Sequence, residues 1–326
     1  MLRQSPGTAP PVSNTWYGGL VDAVQLPAPG ASSGRAVRAG WSMFRAGRRS
    51  PAIVTSEGTM RPAGLVVLAL ALAATRRRRL VLTEFLPGRK SGPQGRLVDL
   101  AYRLLLPRTC LALQTMTPGE AVQYARRYGI AAERFRCVPF YFVDDRVEVD
   151  VVPVAERSGL FASGKNSVDW DTLLDAAEGQ GWPLTLVCTS AEADRIRDRA
   201  AAMGIELLSD IPRADHDDRL GRAQVCLVVL QDTGASSGHV RFATAALRRT
   251  PVVASEIPGT EGYEGLAVST VPPRDPAALR AAVNRALAAP EELAAAEEEV
   301  VALAATRPFS RYADEARTFI SDAMGA

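Results

Sequence analysis

The 326-residue sequence predicts an α/β protein of two successive domains, each built on a doubly wound parallel sheet. Three observations lead there. The length suits about two domains of ~150 residues. From about residue 50, short apolar runs alternate with longer helical patterns, the signature of β-α units. Hydrophobic residues make up 47% and charged residues 23%, the balance of a soluble chain with buried cores rather than a disordered chain or a membrane bundle.

The elements follow in order. Residues 1–35 are rich in Pro, Gly, Ala and Ser and read as a loose, peripheral segment. Residues 36–150 form a first domain: strand 52–56, helix 60–75, strand 80–85, helix 93–106, strand 110–114 and helix 118–129. Thr117-Pro118-Gly119-Glu120 carries the N-cap, first-position proline and third-position glutamate of a helix start, and Gly129 supplies the stop. Residues 136–154 break the rhythm and read as an interdomain linker. Residues 151–290 repeat the pattern: strand 159–162, helix 169–179, strand 184–188, helix 190–203, strand 205–208, a helical turn at 215–222, strand 225–230, helix 237–249, strands 251–255 and 266–270, and helix 275–288. Residues 291–326 complete the chain with two amphipathic helices, the last read either as crossing back to the first domain or as an exposed cap. Two such domains predict a ligand cleft at the carboxyl ends of their strands.

Composition narrows the function. The 38 Lys and Arg nearly cancel the 36 Asp and Glu, so no broad positive field for nucleic-acid binding is expected. Only Lys90 and Lys165 are lysines in a chain otherwise using arginine. That makes Lys165, after a strand and Ser163-Gly164, a retained compact point charge that Arg's planar fork would not reproduce. Cys110, Cys137, Cys188 and Cys226 sit singly, without CxxC spacing, and read as free thiols of a reducing cytosol; with two histidines, no metal site is expected. The amino terminus lacks an apolar signal region. The apolar run Gly64 to Ala74 is too short to span a bilayer and reads as a core helix ended by the cationic turn Arg76–Arg79. Peripheral membrane contact through those arginines is the alternative, which places a cytoplasmic protein at the inner face of the membrane. Dinucleotide, P-loop and nucleophile-elbow motifs are missing.

The stretch GASSGHVRFATAALRRTPVVASEIPGTEGY, from Gly234 onward, resembles the donor-site helix of family 4 glycosyltransferases, especially the subgroup with the motif SxGHxxxxEAxAxGxPVV. Ser236, Ser237, Gly238 and His239 match its opening, and Pro251-Val252-Val253 its following strand. FASGKNSVDWDTLLDAA resembles the first strand and helix of that family's second domain, and QYARRYGIAAERF with RCVPFYFVDD its last first-domain helix and linker. The likeness covers about residues 95 to 290. It implies the GT-B fold, two Rossmann-like domains facing across a cleft. The implied activity is transfer of a sugar from a nucleotide-diphosphate donor to an unidentified acceptor, with retention of configuration and no cofactor or metal required.

The Ser-Ser-Gly loop offers backbone N–H groups and the positive end of a helix dipole to a pyrophosphate, with Ser237 as a plain N-cap the competing reading. His239 is expected to donate to a phosphate oxygen, or else merely to cover the helix start. Departures from the family are clear. Its paired donor-helix glutamates fall on Ser236 or nearby and on Thr244, which can still hydrogen-bond a hydroxyl. Its arginine after the basic loop corresponds to Val168, and its amino-terminal glycine loop is missing. Glu57 and Glu84, each after a first-domain strand, are candidates to orient the acceptor, with helix capping as the alternative. Asp232, Glu256 and Glu261 are candidates near the donor. A weakened glycosyltransferase-like subunit that binds a nucleotide or a partner protein is the second reading of these departures.

Overall fold

The computed structural model describes residues 9–28, 32–87, 92–165 and 167–325; Lys90 lies outside them. The chain divides into two compact units, Met1–Pro139 with Tyr312–Ala326, and Phe140–Arg311.

The first unit runs β1 (Val12–Ser13), a 3-10 turn at Trp16–Val21, β2 (Val24–Gln25), α1 (Ser33–Ala46), β3 (Ile53–Ser56), α2 (Glu57–Ala74), β4 (Leu80–Thr83), α3 (Gly92–Thr109), β5 (Cys110–Thr115), α4 (Pro118–Tyr128) and β6 (Phe135–Cys137). All six strands are parallel, in the order β2-β1-β3-β4-β5-β6. β3 and β4 are buried on both faces, as helices on either side of a parallel sheet require. α2 breaks at Arg61 (φ 60°, ψ 155°), because the Pro62 ring pushes the residue before it out of helical geometry. α4 carries the full capping box of Thr117 and Glu120 and ends on Gly129 at φ 64°.

The second unit runs β7 (Leu160–Ser163), α5 (Trp170–Ala177), β8 (Leu184–Cys188), α6 (Ser190–Ala202), β9 (Glu206–Ser209), α7 (Arg213–Arg222), β10 (Val225–Val228), α8 (His239–Leu247), β11 (Val252–Ser255), β12 (Ser269–Val271), α9 (Pro276–Ala288) and α10 (Pro290–Ala305). Its parallel sheet has the order β12-β11-β10-β7-β8-β9, with an apolar cluster on each side. The last helix, α11 (Phe309–Gly325), begins in the second unit and belongs to the first from Tyr312.

The structure corrects two expectations. Residues 12–25 are not loose: β1 extends the first sheet beside β3, and Val12 and Tyr17 are buried. Two-residue strands flanked by prolines are too short to show a period of two. The segment after Pro139 is not a free linker. Phe140 accepts hydrogen bonds from Tyr263 Oη (2.9 Å) and Arg307 Nε (3.1 Å), so the boundary falls at 139/140 rather than 150/151. The overall balance of charge conceals a regional imbalance. Residues 1–139 hold 20 Lys and Arg against 6 Asp and Glu, whereas residues 140–326 hold 18 against 30.

The four cysteines are free, and burial pushes the thiols of Cys110 and Cys226 up to about 12. Among the described residues no group of three or more His, Cys, Asp or Glu side chains is placed to hold a metal. One described helix, Glu57–Ala74, is long and apolar enough to cross a membrane by length and composition.

Candidate functional site

In the second sheet the chain goes from β7 out to β8 and β9, then returns to β10 on the other side of β7. Open α/β sheets bind ligands beyond the strand ends at this reversal. Two loops meet there, one leaving β7 through Gly164 and Lys165, the other joining β10 to α8. They are zipped together: Val168 and Leu230 form an antiparallel bridge, and Gln231 N donates to Ser167 O at 2.8 Å.

Gly164 is demanded by crowding. A Cβ there would stand 2.4 Å from Val168 Cγ2 and 3.0 Å from Arg241 Nη1. Arg241, in the first turn of α8, donates through Nη1 to the Ser163 carbonyl and so ties α8 to the end of β7. Desolvation lowers its guanidinium to about 10, still charged at neutral pH, and no carboxylate of the described residues pairs with it. Arg241 is half-buried, and a partly desolvated cation without a counter-ion is a place an anionic ligand would favour. Close by, Ser237 Oγ is buried with no hydrogen-bond partner among the described residues. The α8 N–H groups of His239 and Val240 have no intrahelical acceptor, and the positive end of the helix dipole adds to the same field. Lys165, exposed on the β7 loop, brings a second cation and helps hold the carboxyl of Asp210 low, after the hydrogen bonds Asp210 accepts from Ser190.

Ser163 is buried at the end of β7. Its hydroxyl lies 2.8 Å from His216 Nε2, and His216 Nδ1 lies 2.8 Å from Asp217 Oδ1. At 2% exposure Ser163 is a support for the loop, not a surface nucleophile.

Several predicted roles change. The residue that starts α8 is Gly238, at φ 84°, not Ser237, whose N–H instead reaches Gly259 O at 3.3 Å. His239 is not a phosphate donor in this geometry. It is buried, stacked on Tyr263, and its Nε2 lies 2.9 Å from Gly259 O. A carbonyl only accepts, so Nε2 carries the proton. Burial lowers the imidazole to about 4, so it is neutral and its single N–H is spent. Thr244 Oγ1 donates to Val240 O at 2.8 Å and keeps only acceptor capacity. Asp232 is exposed, and its Oδ1 closes the turn onto Gly234 N at 2.8 Å. Glu256 and Glu261 are exposed on the loop after β11. Ser236 is half-buried beside Ser237.

In the first unit, Glu57 and Glu84 both lie at the carboxyl ends of strands, as predicted. Glu57 opens α2, buried, and its Oε1 accepts from Tyr102 Oη at 3.1 Å. Glu84, at φ 44°, is half-buried; desolvation raises its carboxyl, and Oε1 accepts from Tyr17 Oη at 2.7 Å. Tyr17 in turn bonds Tyr312 Oη, which accepts from Gln114 Nε2 at 3.2 Å. Asn14, at the reversal between β1 and β3, takes a bond from Thr55 Oγ1 at 2.8 Å while its buried Nδ2 has no partner among the described residues.

Arg241 and Asn14 escape sequence reasoning. Arg241 is one arginine among many, and only the α8 register brings it to Gly164. Asn14 lies in a stretch with no visible period.

No protein-family model and no curated protein sequence matches the chain. Solved structures do. Anabaena Alr3699/HepE in complex with UDP is similar at a TM-score of 0.67 and 17% identity, over 88% of this chain and 81% of that one. An α,α-trehalose 6-phosphate synthase from Burkholderia multivorans is similar at 0.63 and 16%, over 90% and 76%. A glycosyltransferase from Rickettsia africae ESF-5 is similar at 0.63 and 10%, over 94% and 86%. At these identities the likeness shows the fold, which is the α/β architecture of GT-B proteins with two parallel six-stranded sheets.

Proposed function

We propose that the chain is a nucleotide-sugar-dependent glycosyltransferase, of hexosyltransferase type and with a family 4-like donor site. The observation that carries this reading is Arg241, a half-buried guanidinium that bonds the Ser163 carbonyl and has no carboxylate partner among the described residues, at the β7/β10 reversal beside Ser237 Oγ and the start of α8. The set suits a diphosphate: Arg241 and Lys165 neutralise its charge, and Ser237 and the α8 N–H groups donate to its oxygens. The complex of the similar HepE with UDP makes a uridine diphosphate sugar the first donor to try.

In the retaining reaction, the bond from the sugar's anomeric carbon to the diphosphate oxygen breaks as the acceptor oxygen bonds that carbon from the same face. The acceptor proton passes to the departing diphosphate. The protein's part is to stabilise charge growing on that leaving group, which fixed cations and N–H dipoles do without a protein nucleophile. No metal or cofactor enters this scheme. Glu57 and Glu84 are the acceptor-side candidates. The free thiols support cytoplasmic residence as part of this reading.

Thr244 in place of a glutamate, its hydroxyl turned onto Val240 O, favours the second reading, a weakened subunit that binds nucleotide or a partner protein. Incubating the purified chain with radiolabelled UDP-sugars and a panel of acceptors separates the two. Labelled product supports transfer. UDP binding without product or sugar release supports a nucleotide-binding subunit, and binding of no nucleotide diphosphate contradicts transfer and leaves only the partner-binding form of the second reading.

A further inference from the structure

The connections β2 to β3, β3 to β4 and β4 to β5 all step the same way across the first sheet, so right-handed crossovers set α1, α2 and α3 side by side on one of its faces. α1 and α2 cross so closely that a Cβ on Gly40 would stand 2.3 Å from Gly64 O, and α2 packs in turn on α3. The outside of this layer is apolar. Val37 and Trp41 on α1, Leu70 on α2, and Leu97, Leu100 and Leu104 on α3 are all exposed, Leu97 to 68%. The α3 leucines, spaced i, i+3, i+7, form one stripe, and Trp41 lies one turn from Val37.

The same segment is strongly basic. Residues 33–109 hold 14 Arg and one Lys against Glu57, Glu84 and Asp99. All three carboxylates are engaged, Glu57 by Tyr102, Glu84 by Tyr17, and Asp99 by Arg127 (2.7 Å) and Arg103 (3.1 Å). Arg76, Arg77 and Arg78, at the end of α2, are exposed. Exposed apolar side chains on three adjacent packed helices, in a segment this basic, point to a contact surface rather than ordinary solvated surface.

We propose that the outer face of α1–α3 seats on an anionic lipid bilayer, with the arginines at the headgroup phosphates and Trp41 and the Leu97–Leu104 stripe entering the boundary between headgroups and acyl chains. Charge complementarity selects this occupant. A second copy of the chain would set the same arginines against each other, and a nucleic acid would answer the arginines but leave the leucine stripe unmatched. Bilayers answer both features at once, since binding strength grows with buried apolar area and with attraction to anionic lipid. Trp and Arg suit that depth, each with an apolar body and a polar end. This inference does not depend on the donor-site reading.

Sedimentation of the full chain with phosphatidylcholine vesicles, with and without phosphatidylglycerol, tests it. The expected result is co-sedimentation only when phosphatidylglycerol is present. The triple variant Arg76→Ser, Arg77→Ser, Arg78→Ser should lower partitioning roughly fivefold for each arginine removed. The double variant Leu97→Gln, Leu104→Gln should lower it with all charges in place. These positions are exposed, so an unchanged melting temperature confirms that each variant is folded. No binding to either vesicle, equal binding to both, or binding that neither variant changes would overturn the proposal. So would association of the chain with itself that the leucine variants abolish while vesicles are ignored.

Discussion

His239 and Tyr263 stack face to face, with ring centroids 3.9 Å apart and planes 11° apart, while the His239 Nε2 proton reaches Gly259 O. The pair pins the start of α8 to the loop after β11 and gives the buried histidine a structural task. His239→Ala should therefore cost about 2–4 kcal/mol of stability, from lost packing and an orphaned carbonyl. Nucleotide affinity of the folded fraction should change little. Urea denaturation and a binding titration on the same preparation separate these effects, and a large loss of affinity at unchanged stability would return His239 to the ligand.

The same burial sets a pH dependence. With the folded imidazole lowered to about 4 and the unfolded one near 6.5, the unfolded state binds more protons between those values. This contribution is thus fully present above pH 6.5 and declines as pH falls toward 4, by an amount on the order of 3 kcal/mol. His239→Phe, which keeps the ring, should flatten that part of the stability profile. A profile parallel to wild type would show that the histidine is not buried neutral.

Arg241→Ala should weaken nucleoside diphosphate binding by roughly 10- to 100-fold, the range for a charge-assisted hydrogen bond in a desolvated place. Lys165→Ala should weaken it only a few fold, because Lys165 is exposed and water screens it. Isothermal titration of both variants tests the order. The reverse ranking would move the principal cation to the β7 loop.

Gly40 and Gly34 lie on the same helix and should respond oppositely. A Cβ at Gly40 collides with the Gly64 carbonyl, so Gly40→Ala should destabilise by about 1–3 kcal/mol. Nothing lies within 4 Å of a Cβ at Gly34, so Gly34→Ala should gain about 0.5–1 kcal/mol from helix propensity. Thermal denaturation of the two variants checks the α1–α2 crossing directly.

Much of this fold was legible because its strands are short apolar runs between well-capped helices, as Thr117, Glu120 and Gly129 show around α4. β1 was not legible: Val12 and Ser13 pair with Ile53 and Val54 across forty residues, and a two-residue strand leaves no periodic trace. At the candidate site, the loop sequences located Gly164, Lys165, Ser237 and Gly238. The roles were harder, because burial decides them. In sequence His239 reads as available, but its N–H is spent on Gly259 O. Arg241 was hidden by an arginine-rich composition, and the basic first segment was hidden because the acidic second one cancels it.

The proposed donor site is a diphosphate position built around Arg241. Thermal stabilisation by UDP, GDP, ADP, dTDP and CDP, each against its monophosphate, for wild type and Arg241→Ala, tests it most directly. One diphosphate should raise the wild-type midpoint, by an amount equivalent to about 2.7 kcal/mol at 100 times its dissociation constant. Its monophosphate should act weakly, and the variant should lose most of the shift. No shift with any diphosphate, or an equal shift in the variant, would contradict it.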